Sequence, residues 1–187
     1  MSTHAGSGLT SIAVFCGSNR GRLDAYRAAA REFGRRVAQA GIHLIYGGGR
    51  VGLMGELADA ALADGAEVTG VMPKHLVDRE IAHEGLSSLI VVSDMHERKA
   101  AMAERADAFV ALPGGPGTME EFFEAWVWRQ LGLHAKPVGL LNAAGYYDSL
   151  SRFLDHMIGE GFMAEDYRRM IAIENAPERL LERLQAR

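Results

Sequence analysis

Short apolar runs alternate along this chain with longer segments of helical spacing. Ser11–Cys16 (SIAVFC) is an unbroken run that stops at Gly17-Ser18, which predicts a buried strand. In Asp24–Ala40, residues Tyr26, Ala30, Phe33, Val37 and Ala40 fall near one face of a helix, and Gly41 ends it. The alternation continues with strands over Ile42–Tyr46, Glu67–Met72, Leu89–Val92, Ala108–Leu112, Val138–Leu141 and Met170–Ile173. Helices are predicted over Leu53–Ala63, Met95–Arg105, Met119–Leu131, Tyr147–Glu160 and Pro177–Gln185, the last with proline at its start. Lys74–Gly85 breaks the pattern and is expected to form a charged loop over the sheet. Strands alternating with helices predict an α/β fold, a parallel sheet covered on both faces. One domain is expected over residues 11–187, after a short flexible polar tail at residues 1–10.

Ligands of such sheets gather beyond the carboxyl ends of the strands. Three strand ends carry small-residue turns: Gly17-Ser18, Gly47-Gly48-Gly49 and Gly114-Gly115. Their convergence is expected to build one pocket rich in backbone donors. The turn after Ala108–Leu112 is the most telling, because Pro113-Gly114-Gly115-Pro116-Gly117-Thr118 leads straight into a helix. Glycines let the backbone approach a ligand, and amides at a helix start attract negative charge. Glu120 and Glu121 follow at once, and carboxylates are odd company for a phosphate. They suggest chemistry beside the phosphate rather than on it. Gly47–Gly52 also matches G-x-G-x-x-G, but no acidic residue ends the next strand to hold a ribose, and no G-x-x-x-x-G-K-[ST] loop is present.

Composition narrows the classes. The formal charge of −4 argues against a non-specific nucleic-acid binder. A single cysteine, Cys16, cannot form an intramolecular disulfide and suits a reducing cytoplasm. No apolar run reaches membrane-spanning length, so no membrane partner is expected. The seven histidines are scattered without H-E-x-x-H or Cys/His spacing, so no metal site is expected.

GGGRVGLMG (Gly47–Gly55) and PGGPGTMEE (Pro113–Glu121), with MHERK (Met95–Lys99) between them, resemble the LONELY GUY (LOG) family. The resemblance covers about residues 10 to 185. Its members are cytokinin riboside 5′-monophosphate phosphoribohydrolases, many long labelled "possible lysine decarboxylase". The resemblance implies a Rossmann-like doubly wound parallel sheet without a dinucleotide or other cofactor. It also implies a homodimer, and a nucleoside 5′-monophosphate as the small-molecule partner. Relatives also cleave AMP, and the similar-looking molybdenum-cofactor carriers bind without turnover, so both alternatives stay open. A lysine decarboxylase needs a lysine to hold pyridoxal phosphate. Lys74, Lys99 and Lys136 are the only lysines, and none sits in a recognisable anchoring motif.

Hydrolysis of the N-glycosidic bond sets three tasks: anchor the phosphate, stabilise an electron-poor C1′, and manage the water and the leaving base. Gly115, Gly117 and the Thr118 amide and hydroxyl suit the first. A blander reading makes Thr118 a helix cap with Glu121 as its capping-box partner. By the family pattern, Glu121 is the carboxylate at the ribose and Arg98 works beside it, electrostatically, because arginine stays charged. The same pattern implies substrate contacts from Glu80 and Lys99; Ser18 and Gly48, in their strand-end turns, are expected to approach the nucleotide, and Glu120 beside Glu121 suits a substrate contact or equally the start of a helix. Of Trp126 and Trp128, one is expected in the core and the other at a dimer interface.

Overall fold

The computed structural model describes residues 8–79 and 81–186. Residues 1–7 of the expected tail and the candidate Glu80 lie outside the described residues. Thr10, which was expected to belong to that tail, is bonded through its amide and hydroxyl to the carboxylate of Asp107.

Seven strands form one parallel sheet: β1 (Ser11–Phe15), β2 (His43–Tyr46), β3 (Val68–Pro73), β4 (Ser88–Val92), β5 (Ala108–Ala111), β6 (Val138–Leu141) and β7 (Ile171–Glu174). Their order is β4-β3-β2-β1-β5-β6-β7, all neighbours parallel. The helices are α1 (Asp24–Gln39), α2 (Gly52–Ala63), α3 (Lys74–Val77), α4 (Met95–Arg105), α5 (Pro116–Gln130), α6 (Asp148–Gly159), α7 (Glu165–Arg169) and α8 (Pro177–Gln185). The chain winds outward from β1 to β4, then returns to place β5 on the other side of β1. This is the doubly wound, Rossmann-like arrangement, and the β1/β5 boundary is its switch point.

Period-two alternation assigns the two faces. Ile12 and Val14 of β1 join Leu44, Tyr46, Val110 and Leu112 in a core shared with α1, α2 and α8. Ala13 and Phe15 join Ile45, Phe109 and Ala111 in a second core under α4, α5 and α6. Helix α1 approaches α2 closely at Gly34, where a Cβ would lie 2.5 Å from the Leu57 carbonyl oxygen. The α1–α2 layer therefore depends on a missing side chain.

Two local expectations change. Lys74–Gly85 is not wholly irregular: Lys74–Val77 turns as α3, and Ala82 forms an antiparallel bridge with Gly49. Helix α5 starts at Pro116 rather than Met119, because proline suits the first helical position and lacks the amide that would go unpaired there. Trp126 is buried and donates from its indole to the Tyr167 carbonyl, whereas Trp128 is partly exposed.

Candidate active site

A cleft of about 480 Å³ opens at the switch point. Its floor is the end of β1, from Cys16 to Gly21, and the turn from β5 into α5. Leu53 and Met54 of α2 form one wall, and Met95 and Arg98 of α4 another. Tyr26 and Tyr146 close the β6 side.

The turn is built by close approach. The Gly17 amide donates to the Pro113 carbonyl at 3.1 Å, and the Leu53 amide to the Gly17 carbonyl at 2.9 Å. These two bonds tie β1, the β5 turn and the start of α2 together. Gly114 has no space for a side chain: a Cβ would lie 2.1 Å from Thr118 Oγ1 and 2.9 Å from the Gly17 nitrogen. Gly115 and Gly117 differ, with nothing within 4 Å of where a Cβ would stand. They border open cleft, and Gly115 is the N-cap of α5 with no side-chain cap. Amides in a first helical turn have no intrahelical acceptor, so Gly117 and Thr118 present donors there. Thr118 is therefore not the cap: it lies inside the first turn and is buried, which removes the capping-box reading with Glu121.

Arg98 and Glu121 meet across the α4–α5 boundary, with Nη1 3.8 Å from Oε1 and both side chains nearly buried. At that distance they pair by charge without a hydrogen bond. Arg98 Nε and Glu121 Oε1 are buried without a hydrogen-bond partner. Unsatisfied buried polar atoms are costly, and these two stand beside the cleft. Burial raises the Glu121 pKa above its usual range, the Arg98 charge opposes that shift, and Glu120 adds to it. Burial also raises the thiol pKa of Cys16 strongly, with the Glu121 charge adding, so Cys16 is an inert thiol on the cleft floor.

Arg98 is positioned by two local devices. Asp94 caps α4 by accepting from the Glu97 amide at 2.8 Å, while Glu97 accepts from the Ser93 amide and hydroxyl. Gly47 then makes room for the guanidinium, since a Cβ there would lie 2.0 Å from Arg98 Nη2. Gly47, Gly48 and Gly49 were expected to bring backbone close to a ligand, and none of them lines the cleft. Gly47 accommodates Arg98, and Gly49 abuts Met54. Gly48 has φ +80 and packs toward Gly70, Met72 and Leu89 of the β3–β4 side. Gly48 thus packs against the sheet in this structure instead of lining the cleft.

Among the other candidates, Ser18 and Glu120 line the cleft. Lys99 does not: it is nearly buried beside Glu120 and Glu124, which it engages by ion pairs. Burial lowers its pKa, but the hydrogen bonds to both glutamates outweigh that and leave it raised. None of the three lysines lines the cleft. Lys74 bonds Asp78, and Lys136 bonds the Ala103 carbonyl. The sequence reading missed Tyr26, Met54, Met95 and Tyr146. The doubled tyrosine after Gly145 was the one signal for the last of these.

A protein-family profile described as "Possible lysine decarboxylase" matches residues 54–184. A cytokinin riboside 5′-monophosphate phosphoribohydrolase of Arabidopsis thaliana is 49% identical over 170 residues, 90% of this chain and 80% of that one. The chain belongs to the LOG family. The LOG phosphoribohydrolase of Oryza sativa subsp. japonica is 52% identical over 160 residues, 86% of this chain and 66% of that one. The match to the lysine-decarboxylase profile coexists with a cleft that offers no lysine, and the two named LOG relatives are phosphoribohydrolases. Among solved structures, a molybdenum cofactor binding protein from Rippkaea orientalis superposes with a TM-score of 0.71 at 21% identity, over 95% of this chain and 96% of that one. A Moco carrier protein from Chlamydomonas reinhardtii gives 0.72 at 22%, over 95% and 98%. At such identities these likenesses show that the Rossmann-like fold is shared.

Proposed function

We propose that this LOG-family protein hydrolyses the N-glycosidic bond of cytokinin riboside 5′-monophosphates, releasing free base and ribose 5-phosphate. The observation that carries the reading is the Arg98–Glu121 pair, nearly buried, with an unpartnered nitrogen and oxygen, beside open helix-start amides. The phosphate sits against Gly115, Gly117 and Thr118, with the 5′ oxygen leading toward Glu121. As the C1′–N9 bond lengthens, its electron pair passes to the base and positive charge grows on the ribose. The Glu121 carboxylate stabilises that charge and orients the attacking water. The water oxygen bonds to C1′ and keeps one hydrogen as the anomeric hydroxyl, while the proton it loses is balanced by the one the departing base nitrogen takes up. Arg98 holds Glu121 ionised and balances charge, but it does not donate a proton. Ser18 and Glu120 line the same cleft as secondary contacts, and Lys99 supports Glu120 from behind.

The same reading makes the protein a cytoplasmic homodimer. A reducing compartment suits its single buried thiol, Cys16. Exposed Val127, Leu131 and Leu133 at the end of α5 supply an apolar face for a second copy. Among the described residues, no helix is long and apolar enough to cross a membrane.

Base release from isopentenyladenosine monophosphate, AMP, the matching nucleosides and lysine, followed by product chromatography, tests the proposal. Both monophosphates are ranked by kcat/KM, with the prenylated one expected to lead and the nucleosides and lysine inert. Glu121→Gln and Arg98→Ala are each expected to lower turnover by about 10²–10³-fold. A lead for AMP would reassign the substrate, and tight binding with no turnover would favour a carrier.

A further inference from the structure

Three successive carbonyls of the β5–α5 turn are each held by an outside donor. The Tyr147 hydroxyl donates to the Leu112 carbonyl at 2.6 Å, the Gly17 amide to Pro113 at 3.1 Å, and the Tyr146 hydroxyl to Gly114 at 2.5 Å. Two of these donors are adjacent tyrosines on the connection from β6 to α6. That connection contains Ala144 at φ +49, the only non-glycine residue with positive φ among the described residues, followed by Gly145 at φ +72. An alanine rarely adopts this conformation, and such residues persist where the surroundings hold them. Here the bend delivers both rings to the turn.

The Gly114 bond differs from the other two. In a trans peptide the carbonyl of one residue and the amide of the next lie in one plane and point in opposite directions. The carbonyl of Leu112 shares its plane with Pro113, which has no amide hydrogen. The carbonyl of Gly114 shares its plane with the Gly115 amide, at the open N-cap of α5. Glycine on both sides of that peptide leaves its orientation free unless something fixes it. Tyr146 is 41% exposed, and its ring is braced edge-on by Tyr26 and Tyr147 at centroid distances of 5.5 and 4.9 Å. The hydroxyl of a half-exposed tyrosine can have water as an alternative partner, yet this one is held on a backbone carbonyl.

We infer that Tyr146 is a positioning residue for phosphate recognition: by holding the Gly114 carbonyl, it turns the Gly115 amide toward the 5′-phosphate of the substrate. This rests on the reading of Gly115 as a phosphate donor. Tyr146→Phe keeps the ring and removes the pin. One hydrogen bond of ordinary net strength corresponds to about 3- to 10-fold in a binding constant.

The test measures wild type and Tyr146→Phe by steady-state kinetics on AMP and by inhibition with ribose 5-phosphate and with free adenine. The expected result is a rise of about 3- to 10-fold in KM and in the ribose 5-phosphate inhibition constant, with kcat and the adenine constant within about twofold of wild type. Unchanged ribose 5-phosphate inhibition, or a loss confined to kcat or to adenine, overturns the role of Tyr146. A wild-type protein that ribose 5-phosphate does not inhibit overturns the phosphate anchor itself, which separates the two failures. Should Tyr146→Phe not fold, Gly145→Ala retains the hydroxyl but strains the bend, and it must raise the same two constants; unchanged values there also overturn the inference.

Discussion

Replacing Gly47 by alanine would place a methyl carbon 2.0 Å from Arg98 Nη2, where ordinary contact begins near 3.4 Å. The guanidinium must retreat by about 1.4 Å, since it is the far end of a flexible side chain and therefore the movable partner. Gly47 lies outside the left-handed region, so alanine brings no backbone strain. The neighbouring Met54 sulfur, 3.2 Å away, can shift. Fold stability should therefore change by less than about 1 kcal/mol, with reduced freedom of the unfolded chain offsetting the crowding. Catalysis should not be spared, because a misplacement of about 1 Å can cost about 10²-fold. The expected outcome is a drop in kcat/KM for base release of about 100-fold, close to 2.7 kcal/mol of transition-state stabilisation. Thermal unfolding alongside steady-state kinetics checks both halves. A folded Gly47→Ala enzyme with kcat/KM within threefold of wild type would refute the placement of Arg98 as a positioned electrostatic group.

Further outcomes follow from the cleft. The Glu121 pKa is raised in the folded protein above its ordinary 4.5, so ionising it costs native stability as pH climbs from about 4.5 through the raised value. Glu121→Gln should remove that loss, making the variant increasingly more stable than wild type over this window in thermal unfolding; a constant difference across pH would contradict the burial argument. In wild type the acid limb of kcat/KM should lie above 4.5 for the same reason. Gly114→Ala, which collides with Thr118 and the Gly17 backbone, should lower stability by about 1–3 kcal/mol. Gly117→Ala meets nothing within 4 Å and should leave unfolding unchanged while weakening inhibition by ribose 5-phosphate; equal melting losses in both variants would undo the distinction between packing and ligand glycines.

The alternation of apolar runs and helical segments was enough to predict all seven strands and the parallel sheet, because strand and helix periods are local properties of the chain. The PGGPGT turn and the acids after it were equally legible, since glycine, proline and carboxylate have distinct backbone and charge behaviour wherever they stand. The division of labour among glycines was not. Gly47 and Gly114 leave room for protein atoms while Gly115 and Gly117 border open space, and that difference depends on what arrives from α4, β1 and α5. Lys99 likewise looked like a ligand contact beside Arg98, yet one residue along a helix turns a side chain by about a hundred degrees, toward Glu120 and Glu124. The pairing of Arg98 with Glu121 was suggested by family resemblance, but only the strand order β2-β1-β5 brings their helices together. The hold of Tyr146 on Gly114, across 32 residues, likewise depends on β6 lying beside β5. Local pattern determined which elements form and where the glycine-rich turn into a helix lies; packing at the switch point decided which side chains meet there, because contact between distant segments is set by the assembled sheet.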